Sequence, residues 1–226
     1  MKTIVMSLGG SVILPDKPDL RFIDNFKKIV RKHYKKYRFV VVCGGGSIAR
    51  KYINSLEREG KSEKELALAG IRVTRMNAQL LMQIFGKEAN DSLPTNMEQV
   101  KNNLKKNNIV FCGALRYAPD ETSDGTAAKL AHFFKTDFIN LTNVSGLYTS
   151  DPKKNKNAKL IKSISWKNFE KIALSIKFHA GQHFVIDQEA ARIIKKNKIR
   201  TFIIGSINSL DNLLKEKSFT GTTISK

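Results

Sequence analysis

Glycines placed directly behind apolar runs are the chemistry-bearing feature of this chain. The β-branched run Arg38-Phe39-Val40-Val41-Val42-Cys43 breaks at Gly44-Gly45-Gly46 and resumes as the helix-forming segment Ser47-Ile48-Ala49-Arg50-Lys51-Tyr52. A strand, a loop and a helix start in that order suit an anion. Glycines without Cβ atoms let backbone N–H groups approach a bulky group, and the helix turns its positive end to the same spot. Arg50, about one turn into that helix, could add a forked cation. The competing reading is a tight strand-to-helix turn that holds no ligand. A second such break, Gly9-Gly10-Ser11, follows Thr3-Ile4-Val5-Met6-Ser7-Leu8.

The elements that must position these residues alternate from end to end. After a turn marked by Asp16, Pro18 and Asp19, the apolar residues Phe22, Phe26, Ile29 and Val30 recur at helical spacing, with Lys27, Lys28, Arg31 and Lys32 on a solvated face. Leu66, Gly70, Val73, Asn77, Leu80 and Ile84 predict one long helix over 62–85, with Gly70 marking close packing or ligand approach. A lysine-rich amphipathic helix over 96–108 precedes the buried strand Ile109-Val110-Phe111-Cys112-Gly113. A polar loop from Ala114 to Gly125 leads to the helix Ala127–Phe134, with Thr122-Ser123-Asp124 as its start and Ser or Asp as the capping residue. Strands are expected at 138–142, 200–204 and 222–224. Helices are expected from Trp166 behind Ser165, from Ile186 near Asp187, and over 210–214. This alternation predicts an α/β fold with helices on both faces of a mostly parallel sheet and ligands at the carboxyl ends of the strands. Five strands end in Gly, Ser, Thr or Asn, at Gly9-Gly10-Ser11, Gly44-Gly45-Gly46, Gly113, Thr142-Asn143 and Gly205. On one sheet edge these form a crevice rich in backbone donors, sized for phosphates and not for a metal cage.

Composition bounds the rest. A chain of 226 residues with 41% hydrophobic residues can build one α/β domain, and residues 1–226 are read as a single unit. The net charge of +20 attracts anions broadly without choosing among nucleotides, nucleic acid and membranes. Its lysines are scattered without interleaved aromatic platforms, so a solvated surface is favoured over a nucleic-acid footprint. Cys43 and Cys112 read as small core residues in a reducing compartment. No run approaches the ~20 apolar residues of a membrane span, and Gly9-Gly10 interrupts the short apolar N-terminus before any signal-peptide pattern develops. A cytoplasmic protein without membrane partners is expected.

Several familiar chemistries are missing from the sequence. There is no Gly-x-x-x-x-Gly-Lys-Ser/Thr, no Gly-x-Gly-x-x-Gly and no serine–histidine nucleophile motif. His33, His132, His179 and His183 lack metal-ligand spacing with cysteine, so no protein-built metal site is expected.

Taken together, Leu8-Gly9-Gly10-Ser11, Cys43-Gly44-Gly45-Gly46 with Arg50, Thr74-Arg75 with Asn77-Ala78, Thr122-Ser123-Asp124, Leu141 to Tyr148 with Asp151-Pro152, and Gly221-Thr222-Thr223-Ile224 resemble the amino-acid kinase superfamily. The pattern is most similar to that of archaeal-type uridylate (UMP) kinases and runs the length of the chain. The resemblance implies a three-layer αβα sandwich that transfers the γ-phosphate of ATP to UMP with Mg²⁺, as a homohexamer. It implies an acceptor site in the N-terminal part and an ATP site in the C-terminal part. By the same resemblance Gly9, Gly10 and Ser11 would line the ATP phosphates, Gly44 would meet UMP, Gly45 the ATP side, and Arg50 the phosphates. Thr122, Ser123 and Asp124 would hold UMP. Thr142, Asn143, Tyr148 and Asp151 would hold the nucleoside end of ATP, and Gly10, Arg50 and Asn143 would serve the transfer itself.

The chemistry agrees, because an acceptor phosphate whose second pKa is about 6 needs no general base. Catalysis then reduces to positioning and charge neutralisation. Four departures from the family pattern stand out. Ser7 occupies a position where many members carry lysine, Ala67 one where many carry a ribose-contacting aspartate, with Glu63 or Glu65 nearby. Ser145 replaces another aspartate, and the acceptor loop is longer. Two alternatives share the residues. One is a kinase for another phosphate acceptor such as isopentenyl phosphate, which would call for a histidine that 62–85 lacks. The other is a nucleotide binder without turnover.

Overall fold

The computed structural model describes residues 1–117, 122–150, 152, 155–175 and 185–226. Its strands are β1 (Lys2–Leu8), β2 (Tyr37–Cys43), β3 (Ile109–Cys112), β4 (Phe138–Leu141), β5 (Ser163–Ile164), β6 (Thr201–Ile204) and β7 (Gly221–Ile224). The helices are α1 (Gly10–Ile13), α2 (Leu20–Lys32), α3 (Gly46–Arg58), α4 (Glu63–Phe85), α5 (Met97–Lys106), α6 (Ser123–Phe133), α7 (Trp166–Ser175), α8 (Gln188–Lys196) and α9 (Ile207–Leu214). The strands form one sheet in the order β3-β2-β1-β4-β6-β7-β5. The first five of these are mutually parallel, whereas β7 runs antiparallel to β6 and parallel to β5.

Strand alternation divides the core in two. Met6, Leu8, Phe39, Val41, Phe111 and Leu141 turn to one face, where Phe26 and Val30 of α2, Leu81 and Phe85 of α4 and Leu210 of α9 cover them. Val5, Val40, Val42, Val110 and Phe138 turn to the other, against Leu104 of α5, Leu130 of α6, Phe169 of α7 and Ile194 of α8. The result is the expected sandwich of helix, sheet and helix, and near-continuous apolar strands are what a parallel sheet covered on both faces requires. The two cysteines are free and buried, one on each face. Burial pushes the Cys112 thiol up to about 12 and Cys43 well above its ordinary value.

Local sequence explains the helix starts. Ser62 and Glu65 form a reciprocal capping box on α4, Asn96 caps α5, and Ser206 caps α9. Glu65 thus caps its own helix start. Three expectations shift. α6 begins at Ser123, earlier than Ala127, and Thr122 is its cap through a 3.0 Å bond from the Gly125 N–H. A single helical turn, α1, replaces the plain glycine turn after β1. The two-residue strand β5 adds an edge that its length hides from sequence periodicity. The basic face of α2 is ion-paired in part, with Lys32 at 3.3 Å from Asp211, and His33 just past the helix shares a 2.8 Å hydrogen bond with the same carboxylate. Among the described residues no helix is long and apolar enough to cross a membrane.

Candidate functional site

Register aligns the parallel strands at their carboxyl ends. Leu8 sits opposite Cys43 on one side and Leu141 on the other, and Leu141 opposite Ile204. The segments that follow are thus neighbours. The Gly44 N–H donates to the Leu8 carbonyl, and the Gly9 N–H to that of Leu141, both at 2.9 Å. The two glycine turns then touch backbone to backbone. A Cβ on Gly10 would lie 2.2 Å from the Gly46 nitrogen and 2.6 Å from the Gly44 oxygen. Gly46 has φ +66° as well, a left-handed conformation that a side chain disfavours. Helix α3 starts at this contact with Gly45 as a cap that offers no side-chain bond. Its first-turn N–H groups therefore meet no capping side chain at the sheet edge.

Arg50 lies one turn into α3, half-buried, and partial burial lowers its pKa. No ion pair engages it among the described residues, so its charge is free to meet an anion. Ser11 is half-buried in α1, next to Gly10.

Helix α4 holds the turn after β2 and the segment after β3 in place. The Asn77 amide donates to the Gly44 carbonyl at 2.7 Å. Thr74 Oγ1 accepts from the Ala114 N–H at 3.0 Å, and Arg75 donates to the Ala114 and Leu115 carbonyls at 3.1 and 2.7 Å. Gly113 allows this approach, since a Cβ there would fall 2.5 Å from Thr74 Oγ1. Gly70 faces Ile53 of α3 and serves helix packing. The roles of Thr74, Arg75 and Asn77 escaped sequence reasoning, although a polar triplet within an otherwise apolar helical face was the available signal.

Beside β1, the start of α6 meets the start of α8. Ser7 Oγ lies 2.5 Å from Asp124 Oδ1, and the Thr122 hydroxyl donates to Asp187. Asp187 caps α8 by accepting the Ala190 N–H at 2.9 Å. Burial and the Asp187 carboxylate push Asp124 up to about 7, against a smaller opposing effect of the Ser7 bond. Burial raises Asp187 too, opposed by its bonds from Thr122 and the backbone. Ser123 is half-buried next to Asp124. The partnership with Asp187 was invisible in sequence, where that residue read only as a helix start.

On the other flank, Thr142 follows β4 directly and donates its N–H to the Ile204 carbonyl at 2.9 Å. A Cβ on Gly9 would lie 3.7 Å from Thr142 Cα, so the β1 and β4 exits are in contact. Asn143 is exposed beyond it. Gly205 packs on the Val144 carbonyl, at 2.4 Å from an added Cβ, and the Leu147 N–H donates to Thr222 at 2.8 Å. Tyr148 is half-buried and pairs with Leu160 across an isolated antiparallel bridge. Asp151, His179 and His183 lie outside the described residues. Among those described, no group of three or more His, Cys, Asp or Glu side chains could hold a metal ion.

The structure thus brings together Gly9, Gly10, Gly44, Gly45, Gly46 and Thr142 on one edge, with Asp124 reaching that edge through Ser7. Such an edge can bind anions by backbone donors.

Comparison with known proteins gives the same outline. The model of the "Amino acid kinase family" matches residues 2–205. A uridylate kinase from Thermococcus onnurineus is 36% identical over 224 residues, 98% of each chain. One from Pyrococcus abyssi is 36% identical over 208 residues, 92% of each. The crystal structure of uridylate kinase from Archaeoglobus fulgidus superposes over 100% of both chains with a TM-score of 0.85 and 36% identity.

Proposed function

We propose, from the premise that the chain belongs to the amino acid kinase family, that it is a uridylate kinase moving the γ-phosphate of ATP to UMP to give UDP. The observation that carries this reading is the backbone contact between the Gly9-Gly10 and Gly44-Gly45-Gly46 turns. It sets two anion-accepting turns side by side, which suits a donor and an acceptor phosphate in line.

On this reading Gly9, Gly10, Ser11 and Gly45 cradle the ATP phosphates and Gly44 meets the UMP phosphate. Arg50 spans the two and neutralises charge as the phosphoryl group passes. Thr142, Asn143, Tyr148 and Asp151 hold the nucleoside end of ATP, and the segment through Thr122 and Ser123 faces UMP. The acceptor arrives ionised at neutral pH, so the chain supplies alignment and donors rather than a base. Mg²⁺ suits a site of this kind as an ion carried on nucleotide phosphates, since it keeps most of its ligands from phosphate and water. When bound there it neutralises phosphate charge. The wider reading is an ATP- and Mg²⁺-dependent step of pyrimidine nucleotide synthesis, in the cytoplasm, by a homohexamer.

An ADP-release assay with UMP, CMP, isopentenyl phosphate and N-acetylglutamate as acceptors tests the reading. Turnover with UMP at least tenfold above the others is expected. Equal rates with all four acceptors sink it, and ATP binding by calorimetry without transfer to any of them would make the chain a nucleotide binder.

A further inference from the structure

Two acidic residues stand at the starts of neighbouring helices, beside the edge where the proposed reaction needs positive charge. Asp124 and Asp187 stand at the starts of α6 and α8, linked through Thr122, which caps α6 and whose hydroxyl donates to Asp187. Asp187 is 8% exposed and Ser7 only 1%, while Asp124 is half-buried. Among the described residues, the groups around them do not neutralise the pair. From β1 comes the Ser7 hydroxyl, 2.5 Å from Asp124. From β4 comes Asn140, whose amide donates to the Val185 carbonyl. From α8 comes Glu189, whose side chain packs on Gly125 and whose carboxylate lies 3.7 Å from Arg192. Cys112 at the end of β3 is a thiol pushed up to about 12 and carries no charge at neutral pH. Among the described residues no cation forms an ion pair with either carboxyl.

The hydrogen bonds distribute the charge unequally. Asp187 accepts from Thr122 and from the Ala190 N–H at the start of α8, an arrangement that favours its carboxylate form. Asp124 has one described partner, the Ser7 hydroxyl, which donates to it here and, being a hydroxyl, can also turn to accept. Two nearby carboxyls with a poor supply of solvent do not both ionise easily. The proton therefore belongs on Asp124.

We propose that Asp124 works as a neutral carboxylic acid, kept protonated by the ionised Asp187 beside it, and that loss of this proton to solvent switches phosphoryl transfer off. The switching half rests on the kinase reading; the protonation half does not. A carboxylic acid at this place can donate to Ser7 and fix the end of β1 where the Gly9-Gly10 turn begins. A carboxylate there adds negative charge beside incoming phosphates and repels them. Asp124 is in this sense a positioning residue whose effect is read through pH.

Two measurements separate the halves. Carboxyl-¹³C NMR of aspartate-labelled protein is expected to show one carbon titrating near neutrality, consistent with the rise to about 7, and absent in Asp124→Asn. If every aspartate carbon titrates below pH 6, the proposal is overturned whether or not the protein is a kinase. The second measurement is the pH profile of kcat with saturating ATP and UMP. Wild type is expected to lose about tenfold per pH unit on the alkaline side, and the ratio of Asp124→Asn to wild-type turnover to rise with pH by the same factor. Asp187→Asn keeps the helix cap but removes the charge that holds the proton, so its alkaline limb moves to lower pH. A flat ratio between pH 7 and 9, or an Asp187→Asn limb displaced upward, overturns the switch. Absence of turnover with UMP at any pH overturns the kinase reading and the switch with it, leaving the NMR titration to decide the protonation.

Discussion

The Asn77 amide of α4 and the Gly44 carbonyl are joined by a 2.7 Å hydrogen bond between buried partners. That bond ties the longest helix of the described chain to the glycine turn that the proposed reaction assigns to the acceptor phosphate. Asn77→Ala leaves the carbonyl without its donor, a loss of about 1–3 kcal/mol. Asn77→Asp sets an acceptor against an acceptor and adds negative charge near the phosphates. Turnover is expected to fall in the order wild type, Asn77→Ala, Asn77→Asp, with KM for UMP rising more than KM for ATP. Steady-state kinetics on both variants check this, and equal effects on the two KM values would place Asn77 outside the acceptor side.

Arg50 has no carboxylate partner among the described residues, so removing it breaks no ion pair there. Arg50→Ala is expected to lower kcat by about 10²-fold or more, the scale of losing one charge-stabilising group, with little change in Tm. Thermal unfolding beside the kinetics decides. Matching losses of activity and stability return Arg50 to an ordinary helix residue.

The raised pKa of Asp124 has a stability consequence with a definite sign. Between an ordinary carboxylate value of about 4 and its folded value of about 7, the folded chain binds this proton and the unfolded chain does not. The contribution of Asp124 to stability is thus greatest at the acidic end of that window and is lost as pH rises through it. Wild type should gain Tm relative to Asp124→Asn as pH is lowered from 8 to 5, at roughly 2–4 °C per kcal/mol for a chain of this size. Differential scanning calorimetry of the pair isolates the effect, because carboxylates held low by their partners, Glu88 by Arg31 and Glu216 by Lys36, change both proteins alike. A difference that stays constant with pH contradicts it.

The fold was legible because its signals are local. Apolar runs of strand length, glycines behind them and the capping triplet Thr122-Ser123-Asp124 act within a few positions of one another. The glycine turns were legible for the same reason, since the lack of a Cβ is written into the residue type. What stayed hidden depends on contact across distance. Thr122 and Asp187 are 65 positions apart, and Ser7 and Asp124 are 117 apart, so no spacing rule could pair them. α1 has four residues, too few to display a helical period, and the antiparallel course of β7 is set by its place between β6 and β5 rather than by its sequence. Gly70 was ambiguous in sequence because close packing and ligand approach impose the same residue.

Gly10 and Gly46 meet with no side chain between them, and this has a mechanical meaning. The turns after β1 and β2 are welded into a single rigid part, anchored by two adjacent strands and clamped from behind by Asn77. Neither turn can swing without carrying the other. The spacing between whatever two anions they hold is then a constant of the architecture, as in a fixed gauge, and any opening that admits substrates and releases products must come from the segments that flank this part.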